Sequence, residues 1–221
     1  AVRMLTTQHR MHELIMSYPS EALYQGRLVA HPAVAGHTLA DLGVRDDPER
    51  PSPRVWLDCS GAGFSEERRA DGSTKNVEMA ERTAREVRRL LSRGLAPKAC
   101  AVLTPYDAQV GELRARLAPE LEQGLEVGSI DGFQGREKDA IVIDLVRSNE
   151  DAAIGFLADI RRMNVALTRA RRCLLVIGDS ATVGPHPFYA GLLSSIERRG
   201  HWVSVFSDDA EPFLGGNCSE V

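Results

Sequence analysis

The stretch Ala140-Ile-Val-Ile-Asp-Leu-Val146 is apolar throughout except for Asp144. Similar short apolar runs occur at residues Ala99–Leu103 and Cys173–Ile177. Strands that are apolar along their whole length are typical of a parallel sheet covered by helices on both faces. These runs therefore predict central strands of an α/β fold, and Asp144 is expected to be a buried, hydrogen-bonded carboxylate with no catalytic part.

Helical and strand patterns alternate along the rest of the chain, which favours a parallel sheet flanked by helices. The first helix is expected to end at Pro19, and a later helix is expected to begin after the N-cap Asn76 and to close at Gly94. The other predicted helices are Asp107–Leu117, Ile160–Arg171 and Phe188–Arg199, and the other predicted strands are Val55–Asp58, Glu126–Ile130 and His201–Phe206.

The length of 221 residues suits one sizeable domain. We expect this domain to occupy residues 1–206, with polar surface excursions at about 36–53 and 61–75. Residues 207–221 are predicted to form an acidic tail. Because the chain begins at Ala1 and not at a methionine, we expect it to be a piece of a longer protein.

The composition is that of an ordinary globular domain, with 43% hydrophobic and 26% charged residues. No apolar run approaches the ~18 residues that a membrane span needs, and no signal pattern is visible, so we predict no membrane partner and a cytoplasmic location. The four cysteines lack metal-binding spacing, so we predict core thiols and no metal site. The net charge of −4 is low for a nucleic-acid binder, but residues 161–172 hold five arginines and no acid.

The chain contains no phosphate-binding loop of the form G-x-x-x-x-G-K-[ST], and no G-x-G-x-x-G follows a strand. An unrelated Rossmann-like enzyme is one alternative, but the missing glycine fingerprint counts against it. No set of serine, histidine and aspartate indicates a hydrolase. By itself, therefore, this sequence offers no visible means of cradling a triphosphate.

Three polar segments stand out from this background. They are Gln8-His-Arg-Met-His12, Gly128-Ser-Ile-Asp-Gly-Phe-Gln-Gly-Arg-Glu-Lys-Asp139 and Arg161-Arg-Met-Asn-Val-Ala-Leu-Thr-Arg-Ala-Arg171. A fourth segment, Thr104-Pro-Tyr-Asp-Ala-Gln109, follows the predicted strand that ends at Leu103. The loops after Leu103, Ile130 and Val146 leave predicted strands at their carboxyl ends, where parallel sheets bind ligands. A guanidinium held by a helix, as predicted for Arg169, suits the recognition of phosphate. The alternative is that these arginines only solvate a surface helix.

Together the four segments resemble the motifs of superfamily-1 helicases, most closely the branch with the nonsense-mediated-decay helicase and the immunoglobulin-mu-binding helicase. Order and spacing agree over roughly residues 5–205. The resemblance implies the second, C-terminal RecA-like motor domain of an ATP-dependent helicase or translocase, an AAA domain with a P-loop NTPase fold that lacks its own P-loop. A first RecA-like domain of the same polypeptide would carry that loop. The two domains would share one ATP and its Mg²⁺, so the isolated fragment is expected to be inactive.

The resemblance also implies which residues contact the nucleotide. Arg10 and Arg169 would be catalytic arginine fingers that reach the γ-phosphate, and His9, Gly135 and Glu137 would complete the nucleotide-binding set. His9 stands where the family usually has a tyrosine that packs on the adenine. A smaller ring would loosen the selectivity for the base. The alternative is that Gly135 only permits a turn.

Single-stranded DNA or RNA would be the second partner. The resemblance assigns its contacts to Thr104, Pro105, Tyr106, Ser129 and Gln134. Contacts of this class are largely independent of base sequence. Two bland alternatives stay open, because the Thr104-Pro105 pair could be an ordinary strand exit and Gln134 could simply face solvent.

A catalytically inactive nucleic-acid-binding or scaffold domain of the same fold is the alternative function. Both candidate finger arginines, Arg10 and Arg169, are present, and so is Glu137. A domain that had lost its motor activity would have no reason to retain all three. The sequence therefore favours an active motor.

Overall fold

The computed structural model describes residues 5–207. Its strands are β1 (Thr7–Gln8), β2 (Val29–Ala30), β3 (Arg54–Asp58), β4 (Glu67–Arg68), β5 (Thr74–Lys75), β6 (Cys100–Thr104), β7 (Glu126–Ser129), β8 (Lys138–Asp144), β9 (Ala170–Gly178) and β10 (His201–Ser204). Six of them form a central sheet in the order β10-β3-β9-β8-β6-β7, and all its neighbouring strands are parallel. β1 and β2 form a small parallel ladder, and β4 and β5 form an antiparallel hairpin.

Helices cover both faces of the central sheet. They are α1 (Glu13–Leu23), α2 (Pro32–Ala35), α3 (Val77–Ser92), α4 (Asp107–Arg116), α5 (Ala118–Glu122), α6 (Ile160–Leu167), α7 (Ser180–Val183) and α8 (Pro187–Arg199). Alternate residues of a strand point to opposite faces. Ile141 and Ile143 of β8 accordingly join a core cluster with α1, α6 and α8, whereas Val142 joins a cluster with α3 and α4. The predicted parallel sheet flanked by helices is confirmed.

Asn76 begins α3 as the sequence predicts. Its Oδ1 atom accepts a hydrogen bond from the Met79 amide at 2.9 Å, which satisfies one of the free donors of the first turn. Its Nδ2 atom donates to the Val146 carbonyl at 3.2 Å, so the same cap also ties the helix to the chain that leaves β8.

The predicted end of the first helix at Pro19 is wrong, because α1 continues to Leu23. A proline inside a helix removes one amide donor and costs ~3 kcal/mol. The second half of α1 is held by tertiary packing, since Tyr18, Pro19 and Ser20 are all buried. Ser20 Oγ also donates to the Leu28 carbonyl at 2.8 Å. This packing outweighs the local preference that the sequence pattern reports.

The predicted helix Ile160–Arg171 is too long at its carboxyl end. The helix α6 closes at Leu167, where Thr168 Oγ1 donates to the Asn164 carbonyl at 2.8 Å. β9 then begins at Ala170, which pairs with Lys138 of β8. Because strand pairing supplies the backbone hydrogen bonds that further helix would have made, Arg169 lies in the short connection between α6 and β9.

The two predicted excursions are attached to the domain by specific contacts. In the first, both carboxylate oxygens of Asp47 accept hydrogen bonds from Arg89 of α3 at 2.9 Å. The second contains the hairpin of β4 and β5, which the sequence did not predict. The predicted acidic tail lies outside the described residues from residue 208 onward. In the described part of the chain, no helix is long and apolar enough to cross a membrane.

Candidate functional site

The candidate residues form two groups at opposite edges of the central sheet. Because its six strands are parallel, their carboxyl ends share one edge and their amino ends share the other. Thr104 ends β6 and Ser129 ends β7, and these residues pair with each other at the carboxyl edge. Glu137 immediately precedes β8 and Arg169 immediately precedes β9, so both lie at the amino edge.

Arg10, Glu137 and Arg169, here called the arginine–glutamate cluster, come from three distant parts of the chain. Arg10 Nε donates to the Glu137 carboxylate, and Arg10 Nη1 donates to the Thr168 carbonyl at 3.2 Å. Arg169 Nε donates to the Val165 carbonyl at 3.0 Å. Burial, with the nearby positive charge of Arg10, lowers the pKa of Arg169. Two guanidinium groups near a single carboxylate leave the cluster with a net positive charge.

The segment that carries Arg10 is shaped by its own side chains. Gln8 Oε1 accepts hydrogen bonds from the amides of Arg10 and Met11, at 2.8 and 2.7 Å. The His12 amide donates to the Arg171 carbonyl at 2.8 Å and fixes the segment beside β9. His12 Nδ1 then caps α1 by accepting from the Leu14 amide at 3.0 Å. This short turn aims Arg10 at Glu137.

His9 is exposed, and its ring stacks on that of His31, with ring centroids 4.3 Å apart and an interplanar angle of 26°. The stack follows from the ladder of β1 and β2, in which Gln8 pairs with Ala30. The next residues on the two strands are therefore side by side. His31 is further held by the Ala33 amide, which donates to its Nδ1 atom at 3.2 Å.

Gln134 and Gly135 lie on the connection from the carboxyl end of β7 to the amino end of β8. Both residues are exposed. Gly135 has φ +84°, in the left-handed region that favours glycine. Ser129, at the start of the connection, is partly buried and its Oγ atom accepts from the Gly132 amide at 3.2 Å. The connection therefore links the two edges of the sheet.

At the carboxyl edge the structure separates residues that the sequence grouped together. Thr104 is fully buried and Tyr106 is only 3% exposed, whereas Pro105 is partly exposed. The Tyr106 hydroxyl accepts from Arg147 Nη1 and from the Phe156 amide, both at 3.2 Å. The side chains of Thr104 and Tyr106 are thus internal in this structure, and Pro105 reaches the surface between them.

Sequence reasoning missed Glu66 and Phe156. One oxygen of Glu66 accepts from Arg147 Nε and the Ser148 amide at 2.8 Å, and from Asn149 Nδ2 at 3.0 Å. This carboxylate fixes the chain that leaves β8. The Phe156 ring packs on Tyr106 with centroids 5.3 Å apart and is 56% exposed. The only signal in the sequence was a single aromatic residue between two of the motifs.

A family model described as an AAA domain matches residues 1–181 of the chain. The sequence is 44% identical over 216 residues to the DNA-binding protein SMUBP-2 of Mesocricetus auratus. It is 39% identical over 188 residues to the DNA polymerase alpha-associated DNA helicase A of Saccharomyces cerevisiae, and 36% identical over 203 residues to the regulator of nonsense transcripts 1 of Dictyostelium discoideum. The chain belongs to this AAA domain family of superfamily-1 helicases.

Within the family, these relatives assign the chain to the branch of nonsense-mediated-decay and immunoglobulin-mu-binding helicases. It corresponds to the C-terminal helicase domain of that branch. The three alignments cover 96%, 80% and 88% of the chain but only 22%, 28% and 15% of the relatives. A solved C-terminal domain of a possible DNA helicase from Lactobacillus plantarum WCFS1 matches with a TM-score of 0.50 at 12% identity, over 89% of the chain and 98% of that structure. This likeness supports the RecA-like α/β fold alone.

The helicase domain also contains a buried polar network behind its carboxyl edge. Asp144 is fully buried and accepts hydrogen bonds from Gln109 Nε2 at 2.7 Å and Thr83 Oγ1 at 3.0 Å. Burial raises the pKa of Asp144 to about 6, although these hydrogen bonds act in the opposite direction. Gln109 Oε1 accepts from the Asn76 amide at 2.9 Å. The predicted buried, hydrogen-bonded carboxylate is confirmed, and Gln109 belongs to the interior.

Proposed function

We propose that this domain supplies two arginine fingers to an ATP site that it shares with a first RecA-like domain of the parent helicase. The convergence of Arg10, Glu137 and Arg169 carries the proposal. Two guanidinium groups are held there by backbone carbonyls and one carboxylate, which leaves donors for an anion. Arginine fingers stabilise the charge that develops on the transferring phosphoryl group and contribute about 10³–10⁵ in rate.

The other predicted nucleotide residues fit a site at the same edge. His9 presents an exposed ring on which a purine base can stack, and His31 supports that ring from behind. Glu137 and Gly135 would lie near the ribose and the phosphates. Since the chain has no phosphate-binding loop, the first domain would hold most of the triphosphate and its Mg²⁺.

A single strand of DNA or RNA would cross the opposite, carboxyl edge. Pro105, Ser129 and Gln134 reach the surface there or on the adjoining connection, in keeping with their predicted role. Thr104 and Tyr106 would act through their backbone or through the residues that they support, because their side chains are buried. The relatives named as a DNA-binding protein and a DNA helicase support a nucleic-acid track for the parent protein.

The two groups suggest how ATP turnover would drive movement. Closing of the domains around ATP would bring Arg10 and Arg169 to the γ-phosphate, and opening after hydrolysis would release them. Repeated closing would move the strand that lies across both domains. The isolated domain carries only one half of this site and is expected to have no turnover.

The test is the rate of ATP hydrolysis by the full-length parent, with and without single-stranded DNA and single-stranded RNA, beside the isolated domain. The expected result is hydrolysis by the parent that a strand stimulates, with none by the domain alone. Turnover by the pure domain would contradict the half-site. A parent that binds a strand but never hydrolyses ATP would instead support an inactive nucleic-acid-binding domain of the same fold.

A further inference from the structure

The exposed ring of Phe156 is held rigidly at the carboxyl edge. Its inner face packs on Tyr106 with an interplanar angle of 33°, and its amide donates to the Tyr106 hydroxyl at 3.2 Å. Arg147 donates to the same hydroxyl at 3.2 Å and is itself bound to Glu66 at 2.8 Å. A large apolar side chain that is 56% exposed yet fixed from behind is preorganised for contact with another surface.

The backbone before Phe156 is equally constrained. Gly155 has φ +54°, and a Cβ atom there would clash with Arg147 Nη1 and with the Tyr106 hydroxyl. Neither group can move away without breaking its hydrogen bonds. Glycine therefore fits the turn that aims Phe156 outward, and any side chain there would disturb the hydrogen bonds that hold Tyr106.

The surroundings of the ring indicate how a ligand would meet it. A depression beside Phe156 is lined by Pro105, Ser129 and Arg162, and its volume is about 20 Å³, which is room for about one water molecule. A nucleobase cannot enter it, so the contact would be stacking on the outer face of the ring. Arg162 Nε lies 3.4 Å from carboxylate oxygens of both Asp131 and Asp159, so this group of three side chains has a net negative charge and offers no free cation to a phosphate. Stacking, and not ion pairing, would dominate here.

We propose that Phe156 is the stacking platform for one base of the single strand, and that Tyr106 is the residue that positions it. The inference rests on the proposed function, because it requires a strand to cross the carboxyl edge. It also explains why Tyr106, an aromatic residue in a strand-binding motif, is buried. The tyrosine supports the ring that touches the base.

Binding of a fluorescent oligothymidylate to the full-length parent, measured by anisotropy across a range of salt concentrations, tests the proposal. Base–aromatic stacking contributes ~1–3 kcal/mol per base, so Phe156→Ala is expected to weaken binding by about 5- to 150-fold. The slope of log affinity against log salt should stay unchanged, because no phosphate contact is lost. Phe156→Trp should restore the affinity.

Phe206→Ala is the matched control, since Phe206 is 60% exposed and follows β10, four strands away from β6 in the sheet. This variant should bind like the parent. A strand with abasic sites retains the phosphates but has no bases to stack, so the difference between the parent and Phe156→Ala should disappear on it. Equal affinity of the two proteins for the intact strand, or a difference that persists on the abasic strand, would overturn the stacking role. A parent that binds no strand would overturn the proposed function as well.

Discussion

Replacement of Arg169 by alanine separates a catalytic role of this residue from a structural one. The side chain donates to the carbonyls of Val165 at 3.0 Å and Arg136 at 3.3 Å. In the alanine variant, water can take the place of the guanidinium at these two carbonyls. Removal of the Arg169 charge also relieves its repulsion from Arg10. A typical hydrogen bond contributes only ~0.5–1.5 kcal/mol net, so we expect a loss of stability of about 1 kcal/mol.

The expected catalytic loss is much larger. A fall of about 10³–10⁵ in the rate corresponds to ~4–7 kcal/mol, at ~1.4 kcal/mol for each factor of ten. Strand-stimulated hydrolysis by the full-length Arg169→Ala variant should therefore nearly vanish, while its melting temperature and its affinity for ATP stay close to those of the parent. Arg169→Lys should recover little, because an ammonium lacks the planar fork of donors.

Two results would refute this reasoning. A rate within tenfold of the parent would remove Arg169 from the transition state. A loss of ATP affinity equal to the loss of kcat/KM would show that the residue binds the ground state and the transition state alike, which defines an anchor and not a finger.

Three further changes test other parts of the structure. His31→Ala should raise the KM for ATP about 2- to 12-fold with kcat unchanged, since an aromatic pair contributes ~0.5–1.5 kcal/mol. His31→Phe should restore the KM. An unchanged KM in His31→Ala would show that His31 does not support the stacking of His9 on the base. Asn76→Ala should cost about 0.5–2 kcal/mol in urea unfolding and should be less stable than Asn76→Ser, whose hydroxyl can still accept the hydrogen bond from the Met79 amide; equal stability of all three proteins would contradict the capping role. Because burial raises the pKa of Asp144 to about 6, the stability from its protonated form is complete below about pH 4 and is lost as the pH rises through 6. Between pH 4 and 8 the free energy of unfolding of the parent should fall by about 3 kcal/mol relative to that of Asp144→Asn. If the unfolding free energies of the two proteins changed with pH in parallel, the prediction would be wrong.

The fold could largely be predicted from the sequence because its strands are buried on both faces. The runs 99–103, 140–146 and 173–177 carry that signal, and each contains most of a strand of the central sheet. The errors occur where tertiary contacts outweigh local preference. Tertiary packing allows α1 to continue past Pro19 to Leu23. The pairing of Ala170 with β8 ends α6 earlier than the sequence pattern predicts.

The candidate site was harder to predict because its parts meet only in the folded chain. The motifs identified Arg10, Glu137 and Arg169, but not that Arg10 pairs with Glu137 or that Arg169 lies close enough to both for their charges to affect its pKa. Nothing in the sequence predicts that Tyr106 is buried and that Phe156, packed on it, is the exposed ring. This arrangement depends on Arg147, which Glu66 holds from 81 residues away. Neither residue belongs to the four motifs.

The helix α6 joins the two groups of candidate residues. Its first turn contains Arg162, which lines the depression next to Phe156. The helix ends at Leu167, two residues before Arg169. Its eight residues span ~12 Å at 1.5 Å per residue. Met163, Ala166 and Leu167 are buried, so the helix is packed as a rigid element along the sheet. A strand held at Phe156 and a phosphate held at Arg169 would therefore contact the two ends of one rigid body. If a strand stimulates hydrolysis in the parent, α6 would be the shortest connection between the two contacts within this domain.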